Sequence, residues 1–358
     1  MDEVKYKQDQ PFPSSLCSKS CEIGEIKIYL GDGNCCWLCR RCSVTQYIDS
    51  NRQCRECLPG TLPNRDRSNC SETPERYFDY SYPASITALI LSSVGVLTTT
   101  FVSIFVWMFW DTPVVKTSGR YLNCILLVGI FFCFFLTFPI LSKPSSLSCG
   151  LVQVSVGFGY TLCYATIVTK IRKIAHFSKI NIQKVNKKIH YEGRQSSVTF
   201  ALILVSIEGI LNLTWLLHDE PATSHLYPTW EDKILICKGA DSARYLVGLI
   251  YPFLLTCFST LYALKIRKLS GSVDEVRLII FTNYATCVIW MAFLATFLLN
   301  NNHAIRSASL SFFLIFNCFV QLFCIFAPKV YIAYFKPHKN TEQYVAQSGG
   351  RQFSSLSM

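Results

Sequence analysis

PASITALILSSVGVLTTTFVSIFVWMFW, residues 83–110, carries no charged side chain over 28 consecutive positions. A bilayer core of about 30 Å needs roughly 20 apolar residues of helix, so this stretch is long enough to cross. Working outward, residues 121–142, 144–169, 245–264, 278–302 and 307–328 are also free of Asp, Glu, Lys and Arg, and residues 195–217 qualify apart from Glu208. Seven spans result, and an odd number puts the two ends of the chain on opposite sides. One set of connections, with the segment after the last span, holds eighteen Lys and Arg, eight of them between Lys170 and Arg194. The opposite set, leaving aside the N-terminal region, holds five: Lys143, Lys233, Lys238, Arg244 and Arg306. The positive-inside rule then places the C-terminus in the cytoplasm and the N-terminus outside.

Composition agrees with a membrane protein. Of 358 residues 51% are hydrophobic and 16% charged, against about 25% charged in a soluble domain. The net charge of +11 is read as orientation and attraction to anionic lipid, not as a nucleic-acid footprint. Residues 1–16 are polar and unlike a signal peptide, so either the first span acts as its own insertion signal or the true N-terminus is missing. The expected fold is an all-α, seven-transmembrane-helix bundle preceded by a small disulfide-rich extracellular module. Its expected divisions are a short stretch over 1–16, the cysteine module over 17–70, a linker over 71–82, the helical domain over 83–335 and a cytoplasmic tail over 336–358.

Nine of the eighteen cysteines lie before residue 82: Cys17, Cys21, Cys35, Cys36, Cys39, Cys42, Cys54, Cys57 and Cys70. Few apolar residues separate them, so cross-links must supply the stability. The pairs Cys39-x2-Cys42 and Cys54-x2-Cys57 also have zinc-site spacing, and the outward orientation favours disulfides instead. An odd count leaves one thiol for a partner outside the module.

These spacings resemble a known family. Cys17-Ser-x2-Cys21, then Gly33-Asn34-Cys35-Cys36-Trp37-x-Cys39-x2-Cys42, then Cys54-x2-Cys57-x-Pro59-Gly60 are similar to the cysteine-rich linker of metabotropic glutamate receptors. The resemblance implies bridges Cys17 to Cys36, Cys21 to Cys39, Cys42 to Cys54 and Cys57 to Cys70. It leaves Cys35 for an intermolecular bond or one to a preceding two-lobed ligand-binding module. Asp111-Thr-Pro-Val-Val-Lys116 with Ser118-Gly-Arg120 resembles the family's first cytoplasmic loop, although Tyr121 stands where an acid is usual. Val168-Thr-Lys170 resembles the inner end of the third helix, with Arg172, Lys173 and His176 departing from it. Phe281-Thr-x-Tyr284-x-Thr286-Cys-x-Ile-Trp290-x-Ala-Phe293 and Cys324-x-Phe-x-Pro328-Lys-Val-Tyr331 resemble the sixth and seventh helices.

The resemblance also assigns residues. It implies a bridge between Cys149 and Cys237 at the outer ends of two spans, and an ionic latch between Lys170 and Glu275 at the inner ends of the third and sixth. It implies a small-molecule pocket among Tyr164, Thr286, Trp290 and Phe293, although aromatics spaced three and four apart are also ordinary packing. Lys184, Lys187 and Lys188 are the expected G-protein contacts, in a loop whose charge would also follow from orientation alone. Glu208 is an acid inside a span, where the family usually has Gln, and is expected to stay neutral and hydrogen-bond between helices.

The function expected is a plasma-membrane, multi-pass G-protein-coupled receptor of the metabotropic glutamate receptor class. Its expected partners are a heterotrimeric G protein, membrane lipid and a second receptor, with no cofactor, metal or catalytic role. The 16 residues before Cys17 are too few for the family's two-lobed module, so glutamate is not expected to activate this stretch by itself. Two other readings stand beside it: a short-form partner or decoy for full-length receptors, and a transporter or channel. The last would call for inverted repeats or several intramembrane charges, which the sequence does not contain.

Overall fold

The computed structural model describes residues 18–30, 36–182, 194–239, 243–270, 274–300 and 302–336. It separates into two compact units, residues 1–76 with 225–235, and residues 77–224 with 236–358.

The first unit is built from short hairpins and disulfides. Strands β1 (Glu25–Tyr29) and β2 (Trp37–Arg41) pair antiparallel, with Tyr29 opposite Trp37 and Glu25 opposite Arg41. The Trp37 ring lies edge-on to Tyr29 at 6.5 Å and beneath the Lys27 ammonium at 4.1 Å. Strands β3 (Gln46–Ile48) and β4 (Cys54–Glu56) form a second hairpin, β5 (Thr61–Pro63) and β6 (Cys70–Glu72) a third. Strand β7 (Glu75–Arg76) pairs in parallel with Lys233 and Ile234, so the stretch expected as a linker is partly ordered as strand.

Among the described residues of this unit the buried apolar side chains are Cys42, Cys57 and Leu235. With so little surface removed from water, covalent closure of the loops must hold the fold. Bridges join Cys21 to Cys39, Cys42 to Cys54 and Cys57 to Cys70. Cys36 is also disulfide-bonded. Cys17 and Cys35 lie outside the described residues. The sulfurs of the zinc-like spacing are thus all taken up in disulfides.

The second unit is helical. Its elements are α1 (Pro83–Met108), α2 (Pro113–Thr117), α3 (Arg120–Phe135), α4 (Thr137–Leu141), α5 (Ser146–Ile182) and α6 (Arg194–His218), then α7 (Ile250–Ser270), α8 (Asp274–Leu299), α9 (His303–Gln321) and α10 (Ala327–Phe335). Strand β8 (Thr223–Leu226) and strand β9 (Lys233–Cys237) fall between α6 and α7. Among the described residues, seven helices are long and apolar enough to cross a membrane, one for each expected span. The protein is a seven-helix membrane bundle preceded by a disulfide-rich module.

In hydrocarbon the backbone must find its partners inside the segment or bundle, and a side-chain hydroxyl can turn to a carbonyl of its own helix. Helix α1 shows how: the hydroxyls of Thr98, Thr99, Thr100 and Ser103 donate to carbonyls four residues back, at 2.7–2.8 Å. Helix α5 runs through the middle, packed on α3, α6 and α7, and its Tyr160, Tyr164, Ile167 and Ile171 are buried. Past Thr169, where the uncharged stretch ends, α5 continues to Ile182, carrying Lys170 and Lys173 on the same rod. Helix α9 passes through a π-helical turn, Leu322–Phe326, into α10, where Pro328 stands in the first turn. Proline has no N–H to give to the preceding turn, and a wider turn placed just before it accommodates that loss. The bridge Cys149–Cys237, with Cα atoms 5.5 Å apart, ties the start of α5 to the end of β9.

Candidate functional site

At the far end of α5 from Cys149, five side chains converge. Helix α2 ends at Thr117, and Ser118 and then Gly119 lead into α3, the latter with a φ of +86° that is open to glycine at little cost. That sharp junction turns the buried Ser118 inward, while α3, restarting at Arg120, presents the buried Asn123 one turn later. Lys170 comes from α5, Glu275 from the first turn of α8, and Lys329 from α10 immediately after Pro328.

One carboxylate oxygen, Glu275 Oε1, is the centre. It accepts from the Ser118 hydroxyl at 2.7 Å and faces Lys329 Nζ at 3.1 Å and Lys170 Nζ at 3.8 Å. Lys170 donates to the Ser118 carbonyl and hydroxyl oxygens, both at 3.2 Å, and to Asn123 Oδ1. Lys329 also donates to the Ser118 hydroxyl. The Lys170 side chain is 2% exposed, Lys329 14% and Glu275 25%. A buried ammonium is tolerable only when its donors are satisfied, and here Ser118 and Asn123 supply the acceptors while Glu275 supplies the opposing charge.

The expected pair, Lys170 and Glu275, is therefore within ion-pair distance, but the nearer cation to Glu275 is Lys329. Sequence reasoning missed Lys329, Ser118 and Asn123. The signal for two of them was present, since Ser118-Gly-Arg120 and Pro328-Lys329 are parts of quoted motifs, yet nothing in their spacing said that they meet.

Tyr164, Thr286, Trp290 and Phe293 do come together. The Tyr164 hydroxyl donates to Thr286 Oγ1 at 2.6 Å. Trp290 and Phe293 lie 4.7 and 4.5 Å from the Phe313 ring of α9, and Tyr160 stacks on both Tyr164 and Phe313, at 5.1 and 5.3 Å. All six side chains are buried. The four residues pack against one another and against Tyr160 and Phe313, so a ligand entering there would displace ring contacts that contribute about 0.5–1.5 kcal/mol per pair beyond their area.

Glu208 is buried, and its Oε1 accepts from Asn212 Nδ2 at 2.9 Å. Both residues belong to α6, so the hydrogen bond is within one helix and not between two as expected. At i and i+4 the two side chains stand on one face, which makes the local partner the nearest available. Lys184, Lys187 and Lys188 lie outside the described residues.

Comparison with known proteins agrees with the seven-helix fold. Residues 78–329 match the family described as "7 transmembrane sweet-taste receptor of 3 GCPR", and the chain belongs to that family, the class C G-protein-coupled receptors. It is 31% identical over 348 residues to the "Metabotropic glutamate receptor" of Drosophila melanogaster, covering 97% of this chain and 35% of that protein. It is 32% identical over 341 residues to the "Probable metabotropic glutamate receptor mgl-1" of Caenorhabditis elegans, covering 94% of this chain and 34% of that one. The chain spans about a third of the length of these relatives.

Proposed function

We propose that residues 1–358 work as the transmembrane signalling part of a metabotropic glutamate receptor-like protein, passing a conformational change to a heterotrimeric G protein without catalysing a reaction. The observation that carries this reading is the convergence on Glu275. Ser118, Lys170 and Lys329 reach one carboxylate from three other elements, so separating any of those elements from α8 breaks a charged contact. Such a junction has two discrete arrangements, joined and parted, and a ligand or partner that favours the parted form shifts the population toward it.

The charge asymmetry supports an orientation with the cysteine module outside and the hub at the cytoplasmic face, in the plasma membrane, beside the basic loop that holds Lys184, Lys187 and Lys188. That loop is the proposed G-protein contact. Lipid and a second receptor copy are the other proposed partners, with Cys35 as an intermolecular thiol. The two-lobed module to which the resemblance assigns the amino-acid agonist is not among these residues, so residues 1–358 expressed by themselves should not respond to glutamate.

The test is G-protein activation in cells expressing residues 1–358, with and without glutamate, and with Lys184, Lys187 and Lys188 replaced by Ala. Ligand-independent activation that drops in the triple variant at unchanged surface level is expected. Coupling to every G protein that survives the triple substitution would show that the loop's charge only sets topology, and a saturable glutamate response would overturn the assignment of the agonist site.

A further inference from the structure

The stretch Asn69-Cys70-Ser71 has the acceptor pattern for N-linked glycosylation, an Asn with a hydroxyl two residues on and no Pro between. The sequence contains one other such stretch, Asn212-Leu-Thr214, and its Asn is buried in α6 inside a membrane span. Asn69 stands in the cysteine module, which the proposed orientation places outside, so the inference rests on that reading. Fourteen residues separate Asn69 from Pro83, where α1 begins, and an extended chain of that length reaches roughly 46–50 Å. Half a bilayer with its headgroups is about 20–23 Å thick, so before the module folds the acceptor can stand clear of the surface.

In the folded module Asn69 is the last residue of the loop that joins β5 to β6. Its backbone carbonyl accepts from the Asn64 N–H at 2.9 Å, which closes the loop, and the residue is exposed. The side-chain Oδ1 accepts from the Cys70 N–H at 2.9 Å, which leaves Nδ2 without an acceptor among the described residues. Glycosylation replaces one Nδ2 hydrogen and leaves Oδ1 an acceptor. The folded loop can therefore carry the sugar without losing a contact.

The same fold withdraws the acceptor from the enzyme that would modify it. Ser71 lies in β6 opposite Leu62, and its hydroxyl donates to the Leu62 carbonyl at 3.2 Å. Cys70 is bridged to Cys57. A transferase that reads the hydroxyl on a free chain finds neither in the closed hairpin. We infer that Asn69 carries an N-linked glycan, added while Cys70 is still a thiol and kept when the Cys57–Cys70 bridge closes. In the transfer, Asn69 Nδ2 attacks C1 of a lipid-diphosphate-linked oligosaccharide. The Nδ2–C1 bond forms, the C1–O bond to the diphosphate breaks, the lipid diphosphate leaves, and the Nδ2 proton passes to a base of the transferase. Transfer and bridge closure thus compete for the same tripeptide, and chains that close first stay bare.

The test is the gel mobility of residues 1–358 made in animal cells, before and after treatment with peptide-N-glycosidase. The unaltered protein should run as two bands that the glycosidase merges into the lower one, and Asn69→Gln should give the lower band alone. Dithiothreitol added during synthesis keeps Cys70 reduced and should raise the upper fraction, as should Cys57→Ser. Both are read on total protein, folded or not. Orientation is checked separately by Asn69→Gln combined with Asp66→Ser, which makes an acceptor of the exposed Asn64 with no cysteine beside it. No glycosidase-sensitive band in the unaltered protein, with a shift in that double variant, would overturn the inference and leave the outward orientation standing. No shift in either would overturn both. A shift that survives Asn69→Gln would overturn the assignment to Asn69, and an upper fraction unchanged by dithiothreitol and by Cys57→Ser would overturn the competition with the bridge.

Discussion

Replacing Lys329 with Ala is the perturbation that separates the five-residue hub from a simple Lys170–Glu275 latch. Glu275 Oε1 lies 3.1 Å from Lys329 and 3.8 Å from Lys170, and at equal dielectric the nearer cation contributes more by 3.8/3.1, about a fifth. The variant leaves Glu275 with Ser118 and Lys170, so the carboxylate keeps part of its support. The loss then falls between an exposed pair at about 0–1 kcal/mol and a broken buried pair at about 3–5 kcal/mol, or roughly 2 kcal/mol. If the contact exists only in the joined arrangement, that loss multiplies the parted-to-joined ratio by about 30. A parted form at about 1% would rise to roughly a quarter of the population. The assay is ligand-free G-protein activation at matched surface level, where Lys329→Ala should raise the basal signal on the order of twentyfold and Lys329→Arg should raise it far less. A basal signal in Lys329→Ala equal to the unaltered protein, with Glu275 intact, would refute the role given to Lys329.

Two further outcomes follow from packing and covalent closure. At Gly95 on α1 a Cβ would stand 2.3 Å from the nearest ring atom of the fully buried Phe134, whereas at Gly209 on α6 nothing lies within 4 Å. Gly95→Ala should therefore destabilise the bundle by about 1–3 kcal/mol and Gly209→Ala should be neutral or stabilising by up to about 1 kcal/mol, as read from thermal unfolding in detergent. Cys149→Ser or Cys237→Ser opens a bridge of sequence separation 88 and should cost about 4–5 kcal/mol in the chain-entropy account, seen as a sharp loss of surface expression.

The spans were legible because lipid leaves little choice: a helix that crosses must be long and apolar, and residues 83–110 and 121–142 announce themselves by the absence of charge. The cysteine pairs Cys21–Cys39, Cys42–Cys54 and Cys57–Cys70 were legible only through resemblance, since spacing alone leaves many connectivities open. The hub was half legible. Lys170 and Glu275 stood out as charges at span ends, but Ser118 and Lys329 are 211 residues apart, and what brings them together is the turn at Gly119 and the π-turn before Pro328, neither of which has a pattern that points to the other. Tyr164, Thr286, Trp290 and Phe293 pack together, while Tyr160 and Phe313, which pack against them, came from helices whose facing surfaces no single-helix periodicity specifies. Glu208 shows the reverse error: an acid in a span suggests a distant partner, and Asn212, one turn along the same helix, was nearer.

The central claim is that the Glu275 hub holds one end of the helical bundle closed. Phe281, 62% exposed on α8 and six residues beyond Glu275, can carry a trifluoromethyl group without entering the core, so fluorine NMR of residues 1–358 in nanodiscs reads the position of that helix directly. The unaltered protein should give one dominant resonance. In Glu275→Ala, Lys170 and Lys329 are left facing each other without a countercharge, a loss of about 3–5 kcal/mol, and a second resonance should become the major one. Superimposable spectra from the two proteins would contradict the claim.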